Sequence, residues 1–340
     1  MTLADRLVAA WYSPRPTALA VLLLPLALLF RFGVASRRML YRVGVLRSVR
    51  LRVPVVVVGN ITVGGSGKTP LVAALALALS RRGFHPGIVS RGYGRDAANG
   101  EPLQVGADDD PRRVGDEPLL LTRAGYPVVV ANDRVAAGRA LLSGNPECDV
   151  ILSDDGLQHY RLARSVEIAV VDAVRGLGNR CLLPAGPLRE PVSRLRAVDA
   201  IVMLSAGPDT APPIYPGTFA MRLVGDRLVR VDDPLTSAPA SAFARSDVHA
   251  LAGIGHPERF FAQLAAIGIV ATPHRFRDHH RFVAADLDIA GAQAILMTEK
   301  DALKCEGFAD ERCWYLPVLA CVDDGLITLV EGKLRGHQAS

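Results

Sequence analysis

The chain has 340 residues, half of them apolar, enough for one large core or two ordinary ones. Its five cysteines, Cys148, Cys181, Cys305, Cys313 and Cys321, form no C-x-x-C pair and no metal-ligand spacing, which argues against a disulfide framework or a zinc site and fits reduced thiols. The formal net charge of +5 points to an acidic partner, although most of the excess lies near the N-terminus.

The first element is the uncharged stretch Pro16 to Phe30, rich in leucine and alanine. As a helix it measures about 22 Å, short of the roughly 30 Å hydrocarbon core of a bilayer, and Pro25 predicts a kink. Arg31, Arg37, Arg38, Arg42, Arg47, Arg50 and Arg52 follow with no acidic residue among them. Beside an anionic leaflet each basic residue contributes about 1 kcal/mol. A cleaved signal peptide, a single span, a helix dipping into one leaflet and a core helix of the folded domain compete here. Arginines directly after an apolar run oppose translocation, which favours insertion, shallow or spanning, with the arginines on the cytoplasmic side.

From residue 53 short β-rich runs alternate with helical stretches, the pattern of an α/β fold built on a doubly wound parallel sheet. Strands are predicted at Val53 to Val58, Gly87 to Ser90, Pro127 to Ala131, Val150 to Ser153, Glu167 to Asp172 and Ala200 to Leu204. A helix is predicted over Leu71 to Arg82, with Gly83 placed to end it. The texture then turns proline-rich (Pro208, Pro212, Pro213, Pro216), and Thr218 to Val231 reads as a hairpin around Gly225-Asp226. A second, smaller α/β unit follows: strand His249 to Gly253, helix Pro257 to Ile267, strand Ala294 to Thr298, a short helix at Lys300 and strand Trp314 to Val318. The expected divisions are an N-terminal hydrophobic and Arg-rich segment (1–52), a core (53–206), a β-hairpin linker (207–245) and a smaller lobe (246–335).

Between the first strand and the first core helix runs Thr62-Val63-Gly64-Gly65-Ser66-Gly67-Lys68-Thr69. Strand, glycine-rich turn and helix N-terminus together make a P-loop: backbone N–H groups cradle phosphate, Lys68 neutralises it and Thr69 ligates magnesium. The match to G-x-x-x-x-G-K-[ST] departs at its first position, which holds Thr62. ATP and Mg²⁺ are therefore the expected cofactors. A membrane-associated ATPase switch of the Mrp and partitioning type is the alternative, but that group carries a lysine before the paired glycines, where this chain has Val63. A scaffold that only binds nucleotide has no use for the acidic and histidine clusters that follow.

Asp154-Asp155-Gly156-Leu157-Gln158-His159 lies at a strand's C-terminal end, where ligands bind in open α/β sheets. Asp154 there can hold magnesium in the Walker-B manner, or the two aspartates can cap a helix. Gly115-Asp116-Glu117-Pro118 offers a second carboxylate pair, for which local sequence favours capping.

Taken together these residues resemble the tetraacyldisaccharide 4'-kinase family. The resemblance rests on residues 59–70, Ser90 to Arg95, Gly115 to Pro118, Asp154 to His159, Leu183 to Glu190, Phe276-x-Asp278-His279 and Thr298 to Asp301, in one order. It implies a P-loop NTPase-like core with a second lobe joined by a β-hairpin linker. It also implies transfer of the ATP γ-phosphate to the 4'-hydroxyl of an acylated disaccharide 1-phosphate at the cytoplasmic face of the bacterial inner membrane. Asp116 then resembles the base that takes the hydroxyl proton, His279 its partner, and Thr69 and Asp154 the magnesium ligands. Glu117, Asp155, Gln158 and His159 are implied substrate or supporting residues, and Arg91, Arg95 and Arg189 candidates for phosphate contacts. The choice of His279 over His280 rests on the family's Asp-His register. Thr298 to Asp301 also reads as a plain helix cap, and its function stays open. The expected partners are the lipid substrate and the membrane surface, with no nucleic acid and no obligate protein partner.

Overall fold

The computed structural model describes residues 3–13, 15–93, 100–205, 217–244 and 247–338. The proline-rich segment and Arg95 lie outside the described residues.

The chain opens with α1 (Leu3–Trp11), α2 (Ala18–Leu22) and α3 (Leu24–Arg42). The break between α2 and α3 falls at Leu23, with Pro25 in the first turn of α3. Proline fits there because the first N–H groups of a helix have no internal acceptor. The apolar stretch is therefore two helices rather than one kinked helix. Among the described residues no helix is long and apolar enough to cross a membrane.

The core follows as β1 (Val55–Gly59), α4 (Lys68–Arg81), β2 (Pro86–Ser90), β3 (Leu103–Gln104), α5 (Pro111–Val114), α6 (Asp116–Arg123) and β4 (Val128–Val130). It continues through α7 (Arg134–Gly144), β5 (Val150–Asp154), β6 (Val166–Asp172), β7 (Ala200–Leu204) and β8 (Thr218–Val224). The remaining elements are β9 (Arg227–Arg230), β10 (Ser237–Pro239), β11 (Val248–Ala252), α8 (Pro257–Ala266) and β12 (Thr272–Arg275). Then come β13 (Ala294–Thr298), α9 (Glu299–Cys305), β14 (Cys313–Leu316), β15 (Leu319–Val322) and α10 (Asp324–Gln338).

The larger sheet has nine strands in the order β15-β8-β7-β6-β1-β5-β2-β4-β3, parallel except at its two edge strands. Central β1 is valine from 55 to 58 because both its faces are covered. Val56 and Val58 enter the core beneath α4, while Val55 and Val57 enter the core on the opposite face. From β1 the chain moves to one side through β2, and from β5 it crosses to the other through β6, so the strand order reverses at β1. That reversal opens a crevice at the strand ends.

The smaller sheet runs β10-β9-β14-β13-β11-β12. Phe260 and Leu264 of α8 cover one face, and Met297, Ile295, Ala302 and Cys305 pack on the other.

Two sequence expectations need correction. The turn at Gly225-Asp226 does not join a paired hairpin: β8 pairs with β7 and β15 in the larger sheet, and β9 with β10 and β14 in the smaller. The ribbon between the lobes is outgoing β8 against returning β15. A Cβ on Gly225 would lie 2.4 Å from the Pro317 carbonyl, so the crossing strands need glycine there. The smaller lobe also ends before residue 335. The chain returns through β15, and α10 buries Leu326, Ile327, Val330 and Leu334 in the core beneath α4.

Candidate active site

The P-loop occupies the crevice. Gly67 caps α4 in the left-handed region at φ 82°, and no side chain accepts hydrogen bonds from the first turn. The N-terminal N–H groups of α4 are thus left for an anion, reinforced by the helix dipole. A Cβ on Gly67 would approach Leu204 Cδ2 to 2.7 Å, so glycine is required by space as well as by φ. The loop is braced from outside: Val63 N–H donates to Pro187 O at 2.9 Å, Arg189 N–H to Ile61 O at 2.7 Å, and Asn60 Nδ2 to Gly64 O at 3.3 Å.

β5 delivers Asp154 beside this loop, where Thr69 Oγ1 donates to Asp154 Oδ2 at 3.1 Å. Asp154 Oδ1 and Ser66 Oγ are buried without a hydrogen-bond partner. Orphaned buried oxygens cost about 1–3 kcal/mol each unless something satisfies them. Thr69, Asp154 and the bare α4 terminus fit Mg²⁺ held by one carboxylate, one hydroxyl and nucleotide phosphates. Burial and the Glu117 carboxylate push Asp154 up to about 7 against the pull of Lys68. A bound cation reverses that preference.

Asp155 takes a left-handed backbone at φ 49°. Its carboxylate meets Lys68 Nζ at 3.6 Å and Arg189 Nη1 at 3.1 Å. Burial opposes its charge, but Lys68 and Arg189 hold it at about 2. No helix starts after the Asp154-Asp155 pair, so the capping alternative does not apply.

Capping fails at Gly115-Asp116 too. Gly115, at φ 95°, is the cap of α6, and Asp116 lies inside the first turn with no capping hydrogen bond. Instead Asp116 Oδ2 stands 3.4 Å from His279 Nδ1 and 3.5 Å from Lys304 Nζ. Oδ2 makes no hydrogen bond of good geometry, so these approaches are electrostatic. Burial works against ionisation of Asp116, yet His279, Lys304 and Lys300 hold it below the usual carboxylate range.

His279 comes from the smaller lobe, in the loop after β12. Its backbone is left-handed at φ 58°, its N–H donates to Gly253 O at 3.1 Å, and its ring lies 4.8 Å from that of Tyr93. Strained backbone of this kind costs about 1–3 kcal/mol and persists where surrounding structure fixes it. His280 faces elsewhere: its Nε2 lies 3.0 Å from Asp286 Oδ2 and its ring packs on Phe276 and Phe282. The geometry therefore brings His279, not His280, to Asp116.

Other predicted residues are supports. Gln158 Nε2 donates to Asn60 O at 3.0 Å and to the buried Glu190 Oε1 at 2.9 Å, bracing the entry to the P-loop. His159 Nε2 accepts from Arg134 N–H at 3.2 Å and so anchors the start of α7. Burial first, and then the Arg134 charge, depress His159 to about 4, which keeps it neutral. Arg91 is exposed.

Residues not assigned from sequence also enter. Glu190 takes the Tyr160 hydroxyl and approaches Arg194 at 3.4 Å and Arg38 at 3.9 Å. Lys300 reaches Glu117 Oε1 at 3.2 Å and His279 Nε2 at 3.5 Å. Thr298 does cap α9, accepting from Asp301 N–H, so the plain reading of that residue is correct while Lys300 beside it joins the site. The family motif pointed to Lys300; only the packing of α9 on α6 gives it neighbours.

The smaller lobe touches the P-loop directly. A Cβ on Gly255 would meet Gly65 N at 2.7 Å, and Arg175 Nη1 donates to Gly255 O at 2.7 Å. Asp172, at the end of β6, meets His256 Nδ1 at 3.1 Å and also binds Arg259. Phosphate-binding loop and catalytic histidine candidate are thus held together across two lobes.

The family model described as Tetraacyldisaccharide-1-P 4'-kinase matches residues 19–335. The chain is 56% identical to a Tetraacyldisaccharide 4'-kinase of Azoarcus sp. (strain BH72), over 96% of this chain and 94% of that protein. It is 49% identical to the one of Dechloromonas aromatica (strain RCB), over 99% and 100%. A crystal structure of LpxK from Aquifex aeolicus in complex with ATP superposes with a TM-score of 0.78 at 30% identity, covering 93% of this chain and 99% of that chain.

Proposed function

The chain belongs to the tetraacyldisaccharide 4'-kinase family, and on that premise we propose that it transfers the γ-phosphate of ATP to the 4'-hydroxyl of a tetraacyldisaccharide 1-phosphate in lipid A biosynthesis. The observation that carries this reading is Asp116 beside His279, 3.4 Å apart, with the adjacent Glu117 in the field of Lys68 on a P-loop whose helix has no side-chain cap.

In this reading residues 62–69 cradle the phosphates, with Lys68 on the β- and γ-phosphates. Thr69 and Asp154 hold the magnesium ion, which supplies neutralisation of charge on the phosphoryl oxygens. Asp116 accepts the proton of the sugar hydroxyl, and His279 keeps the carboxylate ionised and oriented. The carboxylate is ready near neutral pH, because Asp116 already favours its charged form. Asp155 pairs with Lys68, and Arg189 holds the other side of the same carboxylate. Closure of the smaller lobe over the P-loop keeps water from the γ-phosphate.

Membrane contact is carried by α2 and α3 in this reading. Leu22, Leu29 and Phe32 are 75, 70 and 74% exposed, an apolar surface that fits an interfacial helix at the cytoplasmic leaflet. Arg31, Arg38 and Arg42 flank it, lining a groove of about 430 Å³ with Met39 and Pro191.

The test is purified protein with ATP, magnesium and a monophosphorylated acylated disaccharide, with the product read by mass. A gain of one phosphate on the unphosphorylated sugar is expected. ATP hydrolysis without lipid phosphorylation contradicts the reading.

A further inference from the structure

α9 begins at Glu299, and its lysines Lys300 and Lys304 are one helical turn apart on one face. That face meets the first turn of α6, which carries the adjacent carboxylates Asp116 and Glu117. Lys300 Nζ lies 3.2 Å from Glu117 Oε1, and Lys304 Nζ lies 3.5 Å from Asp116 Oδ2. Two cations of the smaller lobe thus face two anions of the core across the lobe boundary.

The two lysines are not equivalent. Lys304 is committed: its Nζ bonds Asp301 Oδ1 at 2.8 Å, and Asp301 is fully buried, accepting also from Gly253 N–H at 2.9 Å and from Thr298 Oγ1 at 2.8 Å. Lys300 makes direct contact with Glu117 Oε1 at 3.2 Å and with His279 Nε2 at 3.5 Å. Its ammonium therefore stands beside both His279 and Glu117, and the Glu117 carboxylate also feels the charge of Lys68 on the P-loop. Burial opposes the charge of Lys300, but Glu117, Asp278 and Asp116 keep it protonated.

We propose that Lys300 is a catalytic residue of the phosphoryl transfer, a cation delivered by the smaller lobe to the γ-phosphoryl group, with Glu117 as its counter-ion while no nucleotide is bound. This rests on the functional reading above. The sugar oxygen forms its bond to the γ-phosphorus as the bond from that phosphorus to the β,γ-bridging oxygen breaks. The hydroxyl proton passes to Asp116, and the electron pair of the broken bond leaves on ADP. Lys300 donates hydrogen bonds to a non-bridging γ-oxygen and keeps its protons. Charge that spreads over those oxygens in the transition state then meets Lys68 from the core and Lys300 from the smaller lobe. Lys304 is a positioning residue that holds the Asp116 carboxylate. Because Lys68 and Lys300 sit on different lobes, the full cationic cradle exists only when the lobes are closed.

The test compares wild type, Lys300→Met and Lys300→Ala for lipid phosphorylation, for nucleotide affinity by titration and for thermal unfolding. Lys300→Met keeps the stem and removes the charge. The expected result is a fall in kcat of about 100-fold or more, with nucleotide affinity within about threefold and cooperative unfolding retained. Saturable rescue of Lys300→Ala by an added alkylammonium ion is expected as well, since a cation missing from the γ-phosphoryl group can be supplied from solution. Lys300→Met with wild-type kcat overturns the proposal and leaves the kinase reading intact. So does a kcat loss that merely follows a loss of folding, which makes Lys300 a structural partner of Glu117. A wild-type protein that phosphorylates no lipid overturns both.

Discussion

Asp155 shows how single side chains set this site. Its carboxylate holds Lys68 and Arg189 together, so the P-loop lysine has a counter-ion and a fixed direction without nucleotide. Lys68→Ala is expected to lower kcat for lipid phosphorylation at least about 100-fold with little change in melting temperature, since its main contacts form once phosphate is bound. Thr69→Ala removes the hydroxyl that meets Asp154 and is expected to raise the magnesium concentration for half-maximal rate. Near-normal turnover by Lys68→Ala contradicts the P-loop assignment. His159 works at the same scale but for stability. Its pKa is about 4 in the folded chain and about 6.5 when unfolded, so the unfolded state takes up the proton first as pH falls. Its contribution is fully present above about pH 6.5 and is lost between about 6.5 and 4. His159→Gln is expected to flatten the decline of melting temperature over that window; equal slopes in both proteins contradict it.

At the scale of elements, the N-terminal helices divide into a docked part and an outward part. Trp11 Nε1 donates to Pro184 O at 2.8 Å, the Asn179 N–H bonds Trp11 O at 2.8 Å, and Arg175 lies over the Tyr12 ring at 5.0 Å. α1 is therefore tied to the loop that braces the P-loop, and deleting it disturbs the site. The outward part is addressed without that damage by replacing Leu22, Leu29 and Phe32 with serine. Each buried methylene lost from an interface costs about 0.8 kcal/mol of membrane affinity. Vesicle binding and activity on long-chain lipid are expected to fall about tenfold or more. Activity on a detergent-dispersed short-chain analogue is expected to hold within about twofold. Equal losses on both substrates show that these side chains support the fold instead.

For the whole molecule, the larger sheet was readable because its signals are local: a valine run for buried β1, alternating strands and helices, and Gly67-Lys68-Thr69 at a helix start. The linker was not. Gly225-Asp226 carries a hairpin signal, but β8 pairs with residues 319–322, nearly a hundred positions on, and no local pattern announces that partner. The expected lobe boundary at 335 fails for the same reason, because the helix after β15 returns to the core beneath α4. The candidate site divides likewise. The family's motifs point to Asp116 and His279, and their encounter depends on the lobes meeting. Lys300 sits 183 residues from Glu117 and reaches it only through that meeting.

The central claim is that one carboxylate and one imidazole, supplied by different lobes, act together as the base for the sugar hydroxyl. A double-mutant cycle on kcat for lipid phosphorylation tests it, with Asp116→Ala, His279→Ala, both together, and His280→Ala as control. Each single substitution is expected to lower kcat by about 100-fold or more with little change in KM for ATP, and the double variant to be scarcely worse than the weaker single. His280→Ala, which loses only its Asp286 and aromatic contacts, is expected to lower melting temperature more than kcat. Fully multiplicative losses in the double variant, or a kcat defect of His280→Ala exceeding that of His279→Ala, contradict the pairing.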